Sequence, residues 1–126
     1  MTIFVVAVGG AFGAVSRYAV SGWVQQAAGS GFPWGTWTVN VLGSLLLGFA
    51  MVWLTESMAS SAVRHLIVMG FLGSFTTFIT FSFEAVEMAR EGLWARAGFY
   101  SLGSVLVGVT AVILGALAAA AVTRAG

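Results

Sequence analysis

The chain has 126 residues, 60% of them hydrophobic and 7% charged, against roughly a quarter charged in a soluble domain, so a water-soluble fold is excluded. The net charge of +1 comes from five arginines and four glutamates scattered along the chain, which form neither a basic face for nucleic acid nor a charged tail. No cysteine, no aspartate and a single histidine rule out disulfides and thiolate metal sites and leave little from which to build a nucleophile and its base.

A membrane-crossing helix takes about 20 mostly apolar residues, and cutting the sequence at its charges and turn formers gives four such segments. The chain therefore reads as one all-α transmembrane domain, residues 1–126, with helices at about 2–26, 34–56, 62–89 and 96–122. The first segment lacks a basic leading region and reads as a retained helix, not a cleaved signal. It carries one charge, Arg17, and closes on Gly29, Ser30, Gly31 and Pro33. An arginine so placed is either a structural anchor on loop carbonyls or a lure for anions in a water-filled vestibule.

The second segment holds Asn40 in its first half. An amide at that depth needs a partner, and the choice lies between a hydrogen bond to another helix and donation to an anion. Trp23, Trp34, Trp37, Trp53 and Trp94 fall near segment ends, where amphipathic rings favour the headgroup layer. Gly9 with Gly13, Ser44 with Gly48 and Ser104 with Gly108 are small-xxx-small pairs that let helices approach closely.

In the third segment Gly70, Gly73, Thr76 and Thr77 weaken the helix at its centre. Either backbone carbonyls are freed there, as hard ligands for a cation, or the threonine hydroxyls bond back to the preceding turn of an unbroken helix. Phe75, Phe78 and Phe81 recur on one face, as packing or as ring edges that attract a small anion. Glu84 reads as either a vestibule or a structural residue at the helix end, and Glu87 with Arg90 reads as an ordinary i, i+3 salt bridge. The fourth segment adds the hydroxyls of Tyr100, Ser101 and Ser104.

Four spans put Arg64 and Arg124 on one side and Arg90 and Arg96 on the other, leaving almost no positive-inside bias. Such a chain either inserts both ways, with an antiparallel two-fold dimer as the closed assembly, or has one orientation imposed by an insertion factor.

Residues 70–81, GFLGSFTTFITF, resemble the signature of the Fluc (CrcB) fluoride channels, close to G-x-x-G-x-x-T-T-F-S-T-F. The likeness extends to residues 34–40 (WGTWTVN), Gly43, residues 13–17, Tyr100 and Ser104. It implies a passive fluoride channel in a prokaryotic plasma (inner) membrane that protects against fluoride toxicity. The implied assembly is a dual-topology antiparallel homodimer in lipid, with two pores, a third helix broken near the membrane centre and a structural Na⁺ at the dimer centre. By resemblance Phe78 and Phe81 are pore phenylalanines and Asn40 is the pore asparagine. Gly73 and Thr76 supply Na⁺-binding backbone carbonyls, and Thr80, Ser82, Tyr100 and Ser104 form a hydroxyl track. Arg17 matches a characteristic arginine. Two positions depart: Ile79 replaces a usual serine, and Gly108 stands where some members carry another. The rivals are a proton-coupled exporter, which needs a carboxylate in its pocket, and a membrane scaffold without ion flux.

Overall fold

The structure, a computed structural model, describes residues 1–125, and four of its helical segments are long and apolar enough to cross a membrane. Helix α1 is Thr2–Ala28 and α2 is Trp34–Glu56. The third span is composite. Its first part, α3, opens as Ser61–Arg64, continues as a π-helical stretch His65–Leu72 and closes as Gly73–Phe75; α4, Phe78–Arg90, follows after a gap. Helix α5, Trp94–Ala125, has 32 residues. At 1.5 Å per residue it exceeds a hydrocarbon layer of about 30 Å, so its ends reach beyond that layer.

The loops satisfy helix-end groups that lipid would leave orphaned. Between α1 and α2, Gln25 Nε2 donates to the carbonyls of Gly29 at 2.5 Å and Phe32 at 2.9 Å, while its Oε1 accepts from Gly35 N–H at 3.0 Å. Arg96 Nη1 donates to Gly31 O at 3.0 Å and ties the same loop to α5. Arg64 closes the α2–α3 loop by donating to Leu54 O at 3.1 Å and Ala59 O at 3.3 Å. After α4 the chain turns through Gly92, at φ 81°. The bonds Leu93 N–H to Met88 O and Gly92 N–H to Ala89 O make this a Schellman ending that an L side chain would strain.

Lipid gives helices no hydrophobic drive to associate, so close backbone approach must hold them. Helix α1 lies against the π-helical stretch with Gly9 over Leu66 O and Gly13 over Phe71 O, where a Cβ would collide. Helix α2 packs along α5 in the same way, through Gly48 at Val112 O and Gly115 at Leu45 O. The Ser104/Gly108 pair behaves differently. A Cβ at Gly108 would meet only Ser44 Oγ, at 3.6 Å, because α2 passes it with a side chain instead of its backbone. Small apolar clusters fill the remaining contacts, one of Ala50, Leu54 and Leu72 and another of Met88, Ala97 and Tyr100.

Candidate functional site

The third span is interrupted at its two threonines. Thr76 (φ −87°, ψ 158°) and Thr77 (φ −146°, ψ 113°) are extended, whereas Gly73 keeps helical angles of −61° and −33°. The β-branched pair, not the glycines, therefore marks the discontinuity. β-Branched side chains lose χ1 freedom in a helix and sit readily in extended backbone. Helix α2 passes close to the break: at Gly43 a Cβ would overlap the Thr76 Cγ2 methyl, so any larger residue there would force the Thr76 side chain to move.

Asn40 supplies what the interrupted helix lacks. Thr77 N–H, which would continue the helix by donating to Gly73 O, donates instead to Asn40 Oδ1 at 2.7 Å, and Asn40 Nδ2 donates to Thr77 O at 3.0 Å. The side-chain amide thus pairs with the main chain as a neighbouring peptide would, and the Gly73 carbonyl is left without its helical donor. Thr76 N–H and Oγ1 both donate to Leu72 O at 3.2 Å, ending α3. Thr77 Oγ1 accepts from Thr80 N–H at 3.3 Å and caps α4, the preferred role of a threonine at a helix start.

A cleft of about 430 Å³ opens beside this break, and its lining includes Asn40, Ser44, Phe78, Phe81 and Ser104 together with Gly73 and Thr76. No charged side chain lines it. Phe78 is 76% exposed. Its ring centroid is 5.9 Å from that of Phe81 at an interplanar angle of 49°, and Phe81 is held in turn 5.0 Å from Tyr100. Ser104 Oγ is buried without a hydrogen-bond partner, an arrangement that costs free energy unless a ligand uses it.

Other residues singled out in the sequence lie outside that lining. Tyr100, 1% exposed, donates its hydroxyl to Glu84 Oε1 at 3.1 Å and ties α5 to α4. Thr80 Oγ1 accepts from Thr77 Oγ1 at 3.2 Å. Ser82 is half-buried on α4. Arg17 is half-buried on α1 and takes no part in the sole ion pair among the described residues, Arg90 with Glu87. Two groups in the cleft were not singled out for it: the Thr77 main chain and Ser44. Their signal was spacing, since Ser44 follows Asn40 by one helical turn and donates to its carbonyl at 2.7 Å.

A largely apolar, uncharged cleft that carries the Asn40 amide, an unpartnered serine hydroxyl and two phenylalanine rings, set in a multi-pass helical membrane protein, is equipped to pass or hold a small anion, and no titratable group lines it for acid–base chemistry. Residues 4–116 match the family model described as CrcB-like protein, Camphor Resistance (CrcB), and the chain belongs to that family. It is similar to proteins named fluoride-specific ion channel FluC. The one from Roseiflexus sp. (strain RS-1) is 46% identical over 92% of this chain and 94% of its own length. That from Hahella chejuensis (strain KCTC 2396) is 48% identical over 87% of each. The Thermus thermophilus protein is 40% identical, also over 87% of each.

Proposed function

We propose that this chain is a passive fluoride-selective channel of a bacterial plasma membrane, exporting cytoplasmic fluoride, and not an enzyme. The observation that carries the reading is the coincidence of channel-named relatives aligned over most of the chain with a donor-lined cleft at a mid-membrane break. Fluoride is small and strongly hydrated, so a pore must replace its water with donors at close range and still release it. The hydroxyl of Ser104, the free N–H of Asn40 and the ring edges of Phe78 and Phe81 supply such groups. Hydrogen fluoride enters a cell as the neutral acid and dissociates; a potential negative inside drives the trapped anion out through a passive path.

The working unit in this reading is an antiparallel homodimer in lipid with two pores. The exposed Phe78 and Ile79 beside the cleft support a second copy covering that face. A structural Na⁺ would be held by the carbonyls of Gly73 and Thr76. The donor set fits, because Gly73 O lacks its helical partner and Thr76 is extended, and no group of three or more His, Cys, Asp or Glu among the described residues competes for a metal. One chain offers an incomplete shell, and a two-fold mate would complete it. Bound there, a sodium ion would supply a positive charge for the carbonyls of Gly73 and Thr76 to face. Fluoride efflux from proteoliposomes, read with a fluoride electrode, tests the channel. Replacing Na⁺ by a large organic cation tests the ion: weaker dimerisation is expected, and unchanged assembly and flux would contradict it.

A further inference from the structure

Ser44 lines the same cleft as Asn40, Phe81 and Ser104, yet its hydroxyl is spent on the Asn40 carbonyl, one turn back along its own helix. That bond is dispensable for the backbone, because a helical carbonyl already has an i+4 N–H donor. Rotation about χ1 turns a serine hydroxyl from such a bond toward the opposite helix at small cost. Facing Ser44 on α5 is Gly108, just outside the cleft's lining; a Cβ there would make an ordinary contact with Ser44 Oγ at 3.6 Å and meet nothing else within 4 Å, so the absent side chain leaves room for the hydroxyl to turn. One turn along α5 from Gly108 is Ser104, whose buried Oγ lacks any partner.

We propose that Ser44 is a further anion-binding residue, its hydroxyl turning from the Asn40 carbonyl to donate, together with Ser104, to an anion in the cleft that both residues line. The donor that α5 does not carry at position 108 is thereby supplied from α2. The inference rests on the channel reading above and deepens it by adding a binding position beyond Asn40 and the phenylalanines.

Fluoride efflux from proteoliposomes would be compared for the unaltered chain, Ser44→Ala, Gly108→Ser and Ser44→Ala with Gly108→Ser, each first shown by size-exclusion chromatography to have the same oligomeric state. Loss of one hydrogen bond to a charged ligand predicts that Ser44→Ala slows flux about tenfold. Gly108→Ser should restore most of the lost rate, since it returns a hydroxyl to the same space from the facing helix. A structural role for Ser44 on the Asn40 carbonyl would not be rescued from α5. Unchanged flux in Ser44→Ala overturns the proposal, and so does a loss that Gly108→Ser leaves uncorrected. No flux from the unaltered chain would instead overturn the channel reading on which it rests.

Discussion

Asn40 and Thr77, far apart in sequence, are joined by two hydrogen bonds between a side-chain amide and a main-chain peptide, at 2.7 and 3.0 Å. The pair satisfies both backbone groups at the centre of the break, which is what lets an interrupted helix persist at membrane depth. Asn40→Ala leaves Thr77 N–H without its acceptor, and an unsatisfied donor of this kind costs about 1–3 kcal/mol. Asn40→Asp keeps an acceptor but loses the donor and turns a carboxylate toward the Thr77 carbonyl, so it should destabilise at least as much. Thermal unfolding in detergent should show both variants melting below the unaltered protein, with fluoride flux lost in each. An unchanged melting temperature in Asn40→Ala would mean that the pair does not hold the break.

Phe78 separates function from stability. Its ring is mostly exposed in the single chain, so Phe78→Ala should change the stability of the isolated fold by no more than about 0.5 kcal/mol. If its edge faces the anion, flux should fall about tenfold or more, the equivalent of one lost aromatic contact to a desolvated ion. Efflux measured alongside melting of the monomeric chain, isolated by size-exclusion chromatography, checks this, and a loss of monomer stability equal to the loss of flux would mark the ring as packing within the chain.

The crossing of α1 with the third span depends on missing side chains. Gly13→Ala pushes a Cβ into the Phe71 carbonyl, and overpacking of this type costs about 1–3 kcal/mol. Gly22→Ala on the same helix meets nothing within 4 Å and should be neutral or slightly stabilising, as alanine favours helix over glycine by about 1 kcal/mol. The contrast in melting temperature between the two is the expected result.

Much of this architecture was readable from the residues alone. Four spans follow from charge spacing, and the Gly9/Gly13 and Gly48 contacts follow from small-residue periodicity, because lipid-embedded helices have few other ways to associate. The weakness at the centre of the third span was readable as well. The sequence offers two glycines and two β-branched residues there without saying which of them gives way: Gly70 and Gly73 stay helical, and the chain opens at Thr76 and Thr77. That outcome turns on Asn40, an acceptor 37 residues away, and tertiary partners of this kind leave no local pattern. Tyr100 and Ser104 share a helix face one turn apart, yet one is bonded to Glu84 and the other is unpartnered in the cleft. Periodicity places residues on a face; it does not say which neighbour takes the hydroxyl.

Two loop and tail arginines on each side, Arg64 and Arg124 against Arg90 and Arg96, leave no charge bias to fix one orientation, and the proposed antiparallel dimer requires both. The chain has no native cysteine, so single cysteines placed in the 57–60 and 91–93 loops report sidedness cleanly, and each loop should label from both faces of the membrane. Glu56→Arg adds one positive charge beside the first of these loops and should make labelling one-sided, with that loop retained in the cytoplasm. If antiparallel pairing is required, flux should fall with it. One-sided labelling of the otherwise unaltered chain would refute dual topology.

The central claim, a passive fluoride path through the cleft at the broken third span, is tested most directly by fluoride efflux from proteoliposomes under a K⁺/valinomycin potential, with and without a protonophore. The account predicts rapid efflux that follows the voltage, does not depend on a proton gradient, and is abolished when Phe78→Ala and Phe81→Ala are combined. No flux above empty liposomes, flux that requires a proton gradient, or flux unaffected by the double substitution would contradict it.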